Sequence, residues 1–237
     1  MKGLLRWMGL VLFAAVALQL FFVARIAAMA WIAPESTSFQ RSEIWAQAHE
    51  RGGLHWRQQW VPYAQISSHL KRAVVASEDD GFVNHDGVDW NAIEKAWQRN
   101  ERAEAQAAKA PSRAPKIRGG STITQQLAKN LLLSGERTLL RKGQELVLTF
   151  ALEQLLPKQR ILEIYLNSVE WGDGVFGAEA AAQRYFHKSA AQLAPAEAAR
   201  LAVMLPAPKR FEKLPGSAYI AGRTRTILAR MPSAELP

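Results

Sequence analysis

The chain has 237 residues, 49% of them hydrophobic and 22% charged, a composition that supports a folded core and excludes a disordered or low-complexity protein. Cysteine is absent, which excludes a disulfide framework, a thiolate metal site and a cysteine nucleophile. The formal charge is +9, and a net +6 falls between Arg113 and Lys142, where Arg113, Lys116, Arg118, Lys129, Arg137, Arg141 and Lys142 face one acid, Glu136. Such a segment suits an anionic partner: nucleic acid, anionic lipid or a phosphorylated substrate.

From Trp7 to Ala24 the chain is apolar apart from Gln19. As a helix this stretch spans ~27 Å, close to the ~30 Å hydrocarbon thickness of a bilayer. Ala28-Met29-Ala30 resembles a signal cleavage site. The apolar run is nevertheless longer than the usual ~7–15 residues of a signal core, so an uncleaved anchor is expected. Lys2 and Arg6 before the span keep the N-terminus cytoplasmic, and Arg25 beyond it can snorkel. Residues after about Ala33 then lie outside the cytoplasm, which disfavours nucleic acid as the partner. The anchor is expected to raise local substrate concentration without entering the chemistry, so that a chain starting near Pro34 still folds.

Residues 34–65 read as a polar stalk and domain entry, with Trp45, Trp56 and Trp60 as apolar islands, and residues 66–237 as one domain. Ile66, Leu70, Ala73, Val74 and Ser77 place an apolar face on a helix that ends near Gly81. A second helix runs from Trp90 past Trp97. Residues 101–116, rich in Ala and charge with two late prolines, read as an exposed insertion. After Gly119-Gly120 the Thr122–Gln125 spacing is that of a capping box, and Ile123, Leu127 and Leu131 stack one turn apart. Further helices are expected over Leu139–Leu156, over Lys158–Asn167 behind Pro157, and near 178–186, 195–205 and 219–230. No segment shows sustained strand alternation. The predicted class is mainly α.

Three constellations carry candidate chemistry. Glu78-Asp79-Asp80 sits at the C-terminal end of an apolar helix, where mutual repulsion and the helix dipole should raise at least one carboxyl pKa and so suit it to act as a general base. A solvated acidic turn with a structural His85 is the plainer reading. Gly119-Gly120-Ser121 before a capped helix lets a ligand approach the backbone, while Thr122, Gln125, Gln126 and Lys129 line one polar side. An ordinary amphipathic helix fits equally well. Arg141 and Lys142 lie four and three residues before Glu145, so two cations and a carboxylate share a helix face, as in many surface ion pairs.

Taken in order, the stretches EDDGFVNHDGVD, GGSTITQQLAKN, RKGQELVLTFALE and KQRILEIYLNSVEWGDGVFGAEAAAQRYF cover most of residues 75–186. They resemble glycosyltransferase family 51, the domain of bifunctional penicillin-binding proteins and of monofunctional peptidoglycan transglycosylases. The resemblance implies a lysozyme-like α-helical fold that joins lipid II to a growing, lipid-linked glycan strand. Matched motif by motif, Glu78 falls where the family has its essential base and Glu145 where it has a second functional glutamate. Ser121, Thr122, Gln125, Gln126, Lys129, Arg137, Arg141 and Lys142 are then substrate- or pyrophosphate-binding. Asp79, Phe82, His85, Gly87, Gly119, Gly120 and Asn167 support the motifs. No cofactor or metal ligand is demanded, and a divalent cation at the pyrophosphate is compatible. The implied setting is a bacterial inner membrane, crossed once, with a periplasmic catalytic domain. Other cell-wall synthesis or division proteins are candidate partners. A lytic muramidase would share fold and glutamate but leave the basic segment without a purpose. Ser68-His69-Leu70-Lys71 matches a transpeptidase pattern with no Lys-Thr-Gly to follow, and reads as accidental.

Overall fold

The structure, a computed structural model, describes residues 2–49, 53–109, 120–136 and 138–237. Helix α1 (Lys2–Ala28) is long and apolar enough to cross a bilayer. Residues 2–18 are exposed throughout, but Gln19, Phe22, Ile26 and Met29, three or four residues apart, form a stripe that turns inward. Ile26 and Met29 belong to the hydrophobic core, and Arg160 Nε donates to the Met29 carbonyl at 2.8 Å. The end of the apolar helix is therefore part of the domain. This burial argues against cleavage after Ala30, and a chain that starts at Pro34 and folds does so without these contacts. Ile26→Ala is expected to cost about 2–5 kcal/mol, lowering Tm by roughly 5–15 °C in melts of the full chain in detergent. A chain starting at Pro34 should melt lower still, and an unchanged Tm in either would show that α1 docks without contributing.

The expected stalk is also folded. Helix α2 (Ser38–His49) begins with a reciprocal cap in which Gln40 N–H donates to Thr37 Oγ1 at 3.0 Å and Thr37 N–H to Gln40 Oε1 at 2.8 Å. Both side chains are buried, and Gln40 Nε2 reaches the Ser168 carbonyl at 3.3 Å. Strand β1 (Arg57–Gln58) follows, then α3 (Ser68–Glu78), α4 (Trp90–Lys109), α5 (Ile123–Leu132), α6 (Leu139–Leu155) and α7 (Lys158–Ser168). Strands β2 (Glu170–Gly172) and β3 (Val175–Phe176) precede α8 (Ala178–Phe186), α9 (Pro195–Met204), α10 (Pro208–Phe211) and α11 (Ala218–Arg230). The class is mainly α, as the periodicities predict. The start of the expected insertion is helical, since α4 continues through Lys109. Residues 110–119 and Arg137 lie outside the described residues, and with them Arg113, Lys116, Arg118 and Gly119.

The strands form a small sheet of order β1-β3-β2, with β1 parallel and β2 antiparallel to β3. Two or three residues per strand are too few to show alternation, so the sequence could not announce them. Gly174, at φ +67°, lets the β1 entry pass, because a Cβ there would sit 1.8 Å from the His55 carbonyl oxygen. Helix α3 runs through the core, with Leu70, Ala73, Val74 and Val75 fully buried against α9 and α11. Helices α2, α6 and α7 pack around α5. Lys71 Nζ donates to the Tyr63 carbonyl at 3.1 Å and lies over the Tyr63 ring, while Ser68 is exposed. Nothing in this arrangement pairs Ser68 with Lys71 as a nucleophile and base.

Glu170 of β2 is buried, and its Oε1 has no hydrogen-bond partner among the described residues. Lys209 of α10 lies 3.6 Å from that oxygen and also pairs with Glu43 and Asp173. Burial pushes the Glu170 carboxyl up to about 7, with Lys209 opposing and Glu43 and Asp173 assisting. A carboxyl raised in the folded state favours folding fully below its unfolded pKa, and that contribution is lost as pH rises through the folded value. Glu170→Gln should therefore stabilise the protein above about pH 7, by at most ~3 kcal/mol less what Lys209 loses. The advantage should fade as pH falls toward 4.5, the ordinary glutamate value. Denaturant titrations across this range check the sign.

Candidate active site

The acidic triplet ends α3, and each of its members has a different fate. Glu78 is the last helical residue and lines a cleft of about 230 Å³ together with Asp80, Arg99, Ser121 and Arg230. Asp79 turns inward, accepting from the Ile123 amide at 2.9 Å and from His85 Nε2 at 2.9 Å. The first contact puts a carboxylate on the N-terminus of α5, where the helix dipole favours it. Asp80 is exposed and pairs with Arg230 of α11 at 3.1 Å. Asp79 thus welds the end of α3 to the start of α5 and holds Glu78 beside α5.

His85 completes that weld. Its Nδ1 accepts from the Gly87 amide at 3.1 Å, so the ring proton sits on Nε2, which donates to Asp79. Gly87 adopts φ +86°, and a Cβ there would lie 2.6 Å from Thr149 Cγ2 and 2.9 Å from Glu153 Cγ of α6. Its carbonyl accepts from Thr122 Oγ1 at 2.6 Å. Phe82 is fully buried beneath Lys158, whose Nζ reaches the His85 carbonyl at 2.6 Å and Glu153 at 2.9 Å. Asp79, Phe82, His85 and Gly87 therefore act as a frame.

On α5 the capping box forms as expected, with Thr122 Oγ1 accepting from the Gln125 amide and Gln125 Oε1 from the Thr122 amide, both at 3.1 Å. This corrects the reading of Thr122 and Gln125 as substrate contacts. Both are buried and their side chains are engaged within the protein. Gln126 points the other way. Its Nε2 donates to Glu78 Oε2 at 3.0 Å, and its Oε1 accepts from the Tyr165 hydroxyl at 3.0 Å. Tyr165, buried on α7, thereby fixes the amide so that its NH₂ faces Glu78. Burial, reinforced by Glu78 and Asp79, pushes the Tyr165 hydroxyl well above its ordinary range and keeps it a donor. Lys129 is exposed one turn beyond Gln126 on the same helix, and Ser121 is exposed in the loop before it. Gly120 packs against α4.

Burial raises the Glu78 carboxyl above its ordinary value and the Gln126 hydrogen bond opposes this. Asp79 adds to the rise, a hydrogen bond from Ser77 opposes it, and Arg223 opposes it weakly. The direction is the one expected, but desolvation leads and the neighbouring acid is secondary. On α6, Glu145 is 3% exposed and holds two cations, Arg141 Nη1 at 2.7 Å and Lys142 Nζ on its other oxygen. The Arg141 Nε–H is buried and has no hydrogen-bond partner among the described residues. Asn167 spends its side chain on the fold, pairing with both backbone groups of Val61 and securing the domain entry. Tyr165, Glu153, Lys158, Arg99 and Arg230 were not singled out from the sequence. Glu153, Lys158 and Tyr165 lie in the stretches that carry the family resemblance, whereas Arg99 and Arg230 left no signal.

A family model described as Transglycosylase matches residues 46–232, which span every element of this site. The chain belongs to the transglycosylase family. Proteins named biosynthetic peptidoglycan transglycosylase from Paraburkholderia xenovorans and from an Azoarcus species are each 52% identical to it, over 99% and 100% of this chain and 95% and 100% of their own. One from Bordetella pertussis is 50% identical over 96% of this chain and 91% of its own. The mainly α domain that follows an apolar N-terminal helix is thus this family's lysozyme-like domain, and the frame around Glu78 is built from the family's own segment.

Proposed function

We propose that this protein polymerises lipid II into β-1,4-linked glycan strands at the outer face of a bacterial inner membrane, with α1 as a single uncleaved anchor. Membership in the transglycosylase family makes it a peptidoglycan glycosyltransferase of cell-wall synthesis. The observation that carries the residue-level reading is the pairing of a partly buried carboxylate, Glu78, held by Gln126 on α5, with the Arg141–Lys142–Glu145 cluster on α6, the helix packed against α5. The 4-hydroxyl of the acceptor sugar attacks the anomeric carbon of the donor glycan. As the new C–O bond forms with inversion, Glu78 takes the hydroxyl proton and the anomeric bond to pyrophosphate breaks. Arg141 and Lys142 stabilise the charge that grows on the leaving undecaprenyl pyrophosphate, with Lys129 on the adjoining helix and Arg137 assisting. Glu145 keeps the first two cations aimed, and the spare Arg141 Nε–H is a donor for a phosphate oxygen. No step needs a cofactor, and retention of activity in a chelator would test that. Lys2 and Arg6 support a cytoplasmic N-terminus, and therefore a periplasmic domain.

The test is incubation of the full chain with lipid II in detergent. Polymeric glycan that muramidase can digest is the expected product. Hydrolysis of preformed peptidoglycan without polymerisation would instead place the chain among lytic muramidases.

A further inference from the structure

Gln19 is the one strongly polar residue in the apolar run, and it marks the point where α1 leaves the domain: residues 2–18 are exposed, and the inward stripe of Gln19, Phe22, Ile26 and Met29 starts there. Its side chain forms a two-bond amide ring with Gln144 of α6, Gln19 Nε2 donating to Gln144 Oε1 at 2.8 Å and Gln144 Nε2 donating back at 3.0 Å. At ~1.5 Å rise per residue, Gln19 lies ~18 Å along the helix from Trp7, within the ~30 Å that a bilayer's hydrocarbon occupies. At that depth lipid leaves an amide's polar atoms unpaired, so two amides that satisfy each other form a specific lock, whereas apolar contacts alone would let the helices slide. The start of α6 shares this setting, for Leu139 and Leu140 are 93% and 86% exposed.

Gln144 directly precedes Glu145. One helical step turns the face by ~100°, so α6 presents Gln144 to the anchor and Glu145, with Arg141 and Lys142, to the charged cluster. We propose that Gln19 is a positioning residue for glycan transfer: its paired amide bonds to Gln144 set the rotation and depth of the anchor against α6, and so hold the Arg141–Lys142–Glu145 cluster at the level of the membrane-borne pyrophosphate. This rests on the polymerase reading above. The anchor then belongs to the machinery of the reaction, because it sets the height at which the enzyme meets a substrate confined to the same bilayer.

The experiment uses the full chain, reconstituted in vesicles of phosphatidylethanolamine and phosphatidylglycerol and, separately, in detergent micelles. Gln19→Leu and Gln144→Leu are each expected to raise KM for lipid II in vesicles by roughly three- to twentyfold, with kcat little changed. The defect should be much smaller in micelles, which adapt to the protein's shape. The double variant should be no worse than either single one, since both remove the same pair. Because the chain lacks cysteine, Gln19→Cys with Gln144→Cys also offers a clean cross-link to a short bis-maleimide, and Leu12→Cys with Gln144→Cys should not react. The cross-link reads the pairing without turnover, so its success beside an inactive parent would condemn the polymerase reading and leave the lock standing. Failure to cross-link, additive losses in the double variant, or equal losses in vesicles and micelles would overturn the proposal.

Discussion

Glu78→Gln is expected to lower lipid II polymerisation by ~10²–10⁴-fold in a chain that still folds. Glutamine keeps the shape of the side chain and removes the proton acceptor. The structure adds one signature that a non-catalytic glutamate would not show and one that Glu78 shares with any buried carboxyl. First, burial raises the Glu78 carboxyl above its ordinary value, so the parent's rate should fall on acidification through that raised pKa. Second, such a carboxyl favours folding below its unfolded pKa, and that contribution is lost as pH rises through the folded one. Glu78→Gln should therefore be at least as stable as the parent near neutral pH, the mark of a site that gives up stability for function. Tyr165→Phe, which frees the Gln126 amide to turn, should show a milder loss of rate with the acid limb displaced. Near-parental polymerisation by folded Glu78→Gln would falsify the base assignment.

The second large effect separates a pyrophosphate site from a generic basic surface. Arg141→Ala should lower kcat by ~10²–10³-fold, because its guanidinium answers charge that appears fully only as the anomeric bond breaks. Lys129→Ala should lower kcat in the same sense. Added salt should not reproduce either defect, whereas Lys213→Ala, at an exposed site, should weaken membrane binding slightly and in a way that salt erases. A salt series on the three variants, with melts alongside, makes the comparison. The melts matter because Arg141→Ala leaves the buried Glu145 with Lys142 alone. Three equal, small and salt-sensitive losses would reduce the basic segment to a membrane-attracting patch.

Much of the fold was legible before any coordinates, because helices announce themselves through local rules. The apolar length of α1, the Thr122–Gln125 box and the periodic faces of α3 and α5 to α7 depend on residues within a few positions of one another. Helix α2 carried the same box in Thr37–Gln40, but its mixed polar sequence hid the signal, and it holds its place by long-range bonds to Ser168 and Leu131. The sheet was invisible for the same reason, since β1 joins β3 from more than a hundred residues away.

Composition and helical periodicity are enough to make the chain mainly helical, with an apolar N-terminal helix, no thiol chemistry and its positive charge concentrated ahead of a glutamate-bearing helix. The motif resemblance points to Glu78 among three adjacent acids, but the physical distinction between them is made by tertiary structure. Asp79 is taken by the N-terminus of α5 and by His85, Asp80 by solvent and Arg230, and only Glu78 is left half-buried against Gln126. Tertiary structure likewise brought Tyr165 behind Gln126 and joined the anchor to the domain through Ile26, Met29 and Gln19. The physical reason is common to all of them. Charge, length and helical phase are written along the chain, but burial and hydrogen-bond partnership, which decide what a carboxylate or an amide can do, exist only once distant segments have packed together.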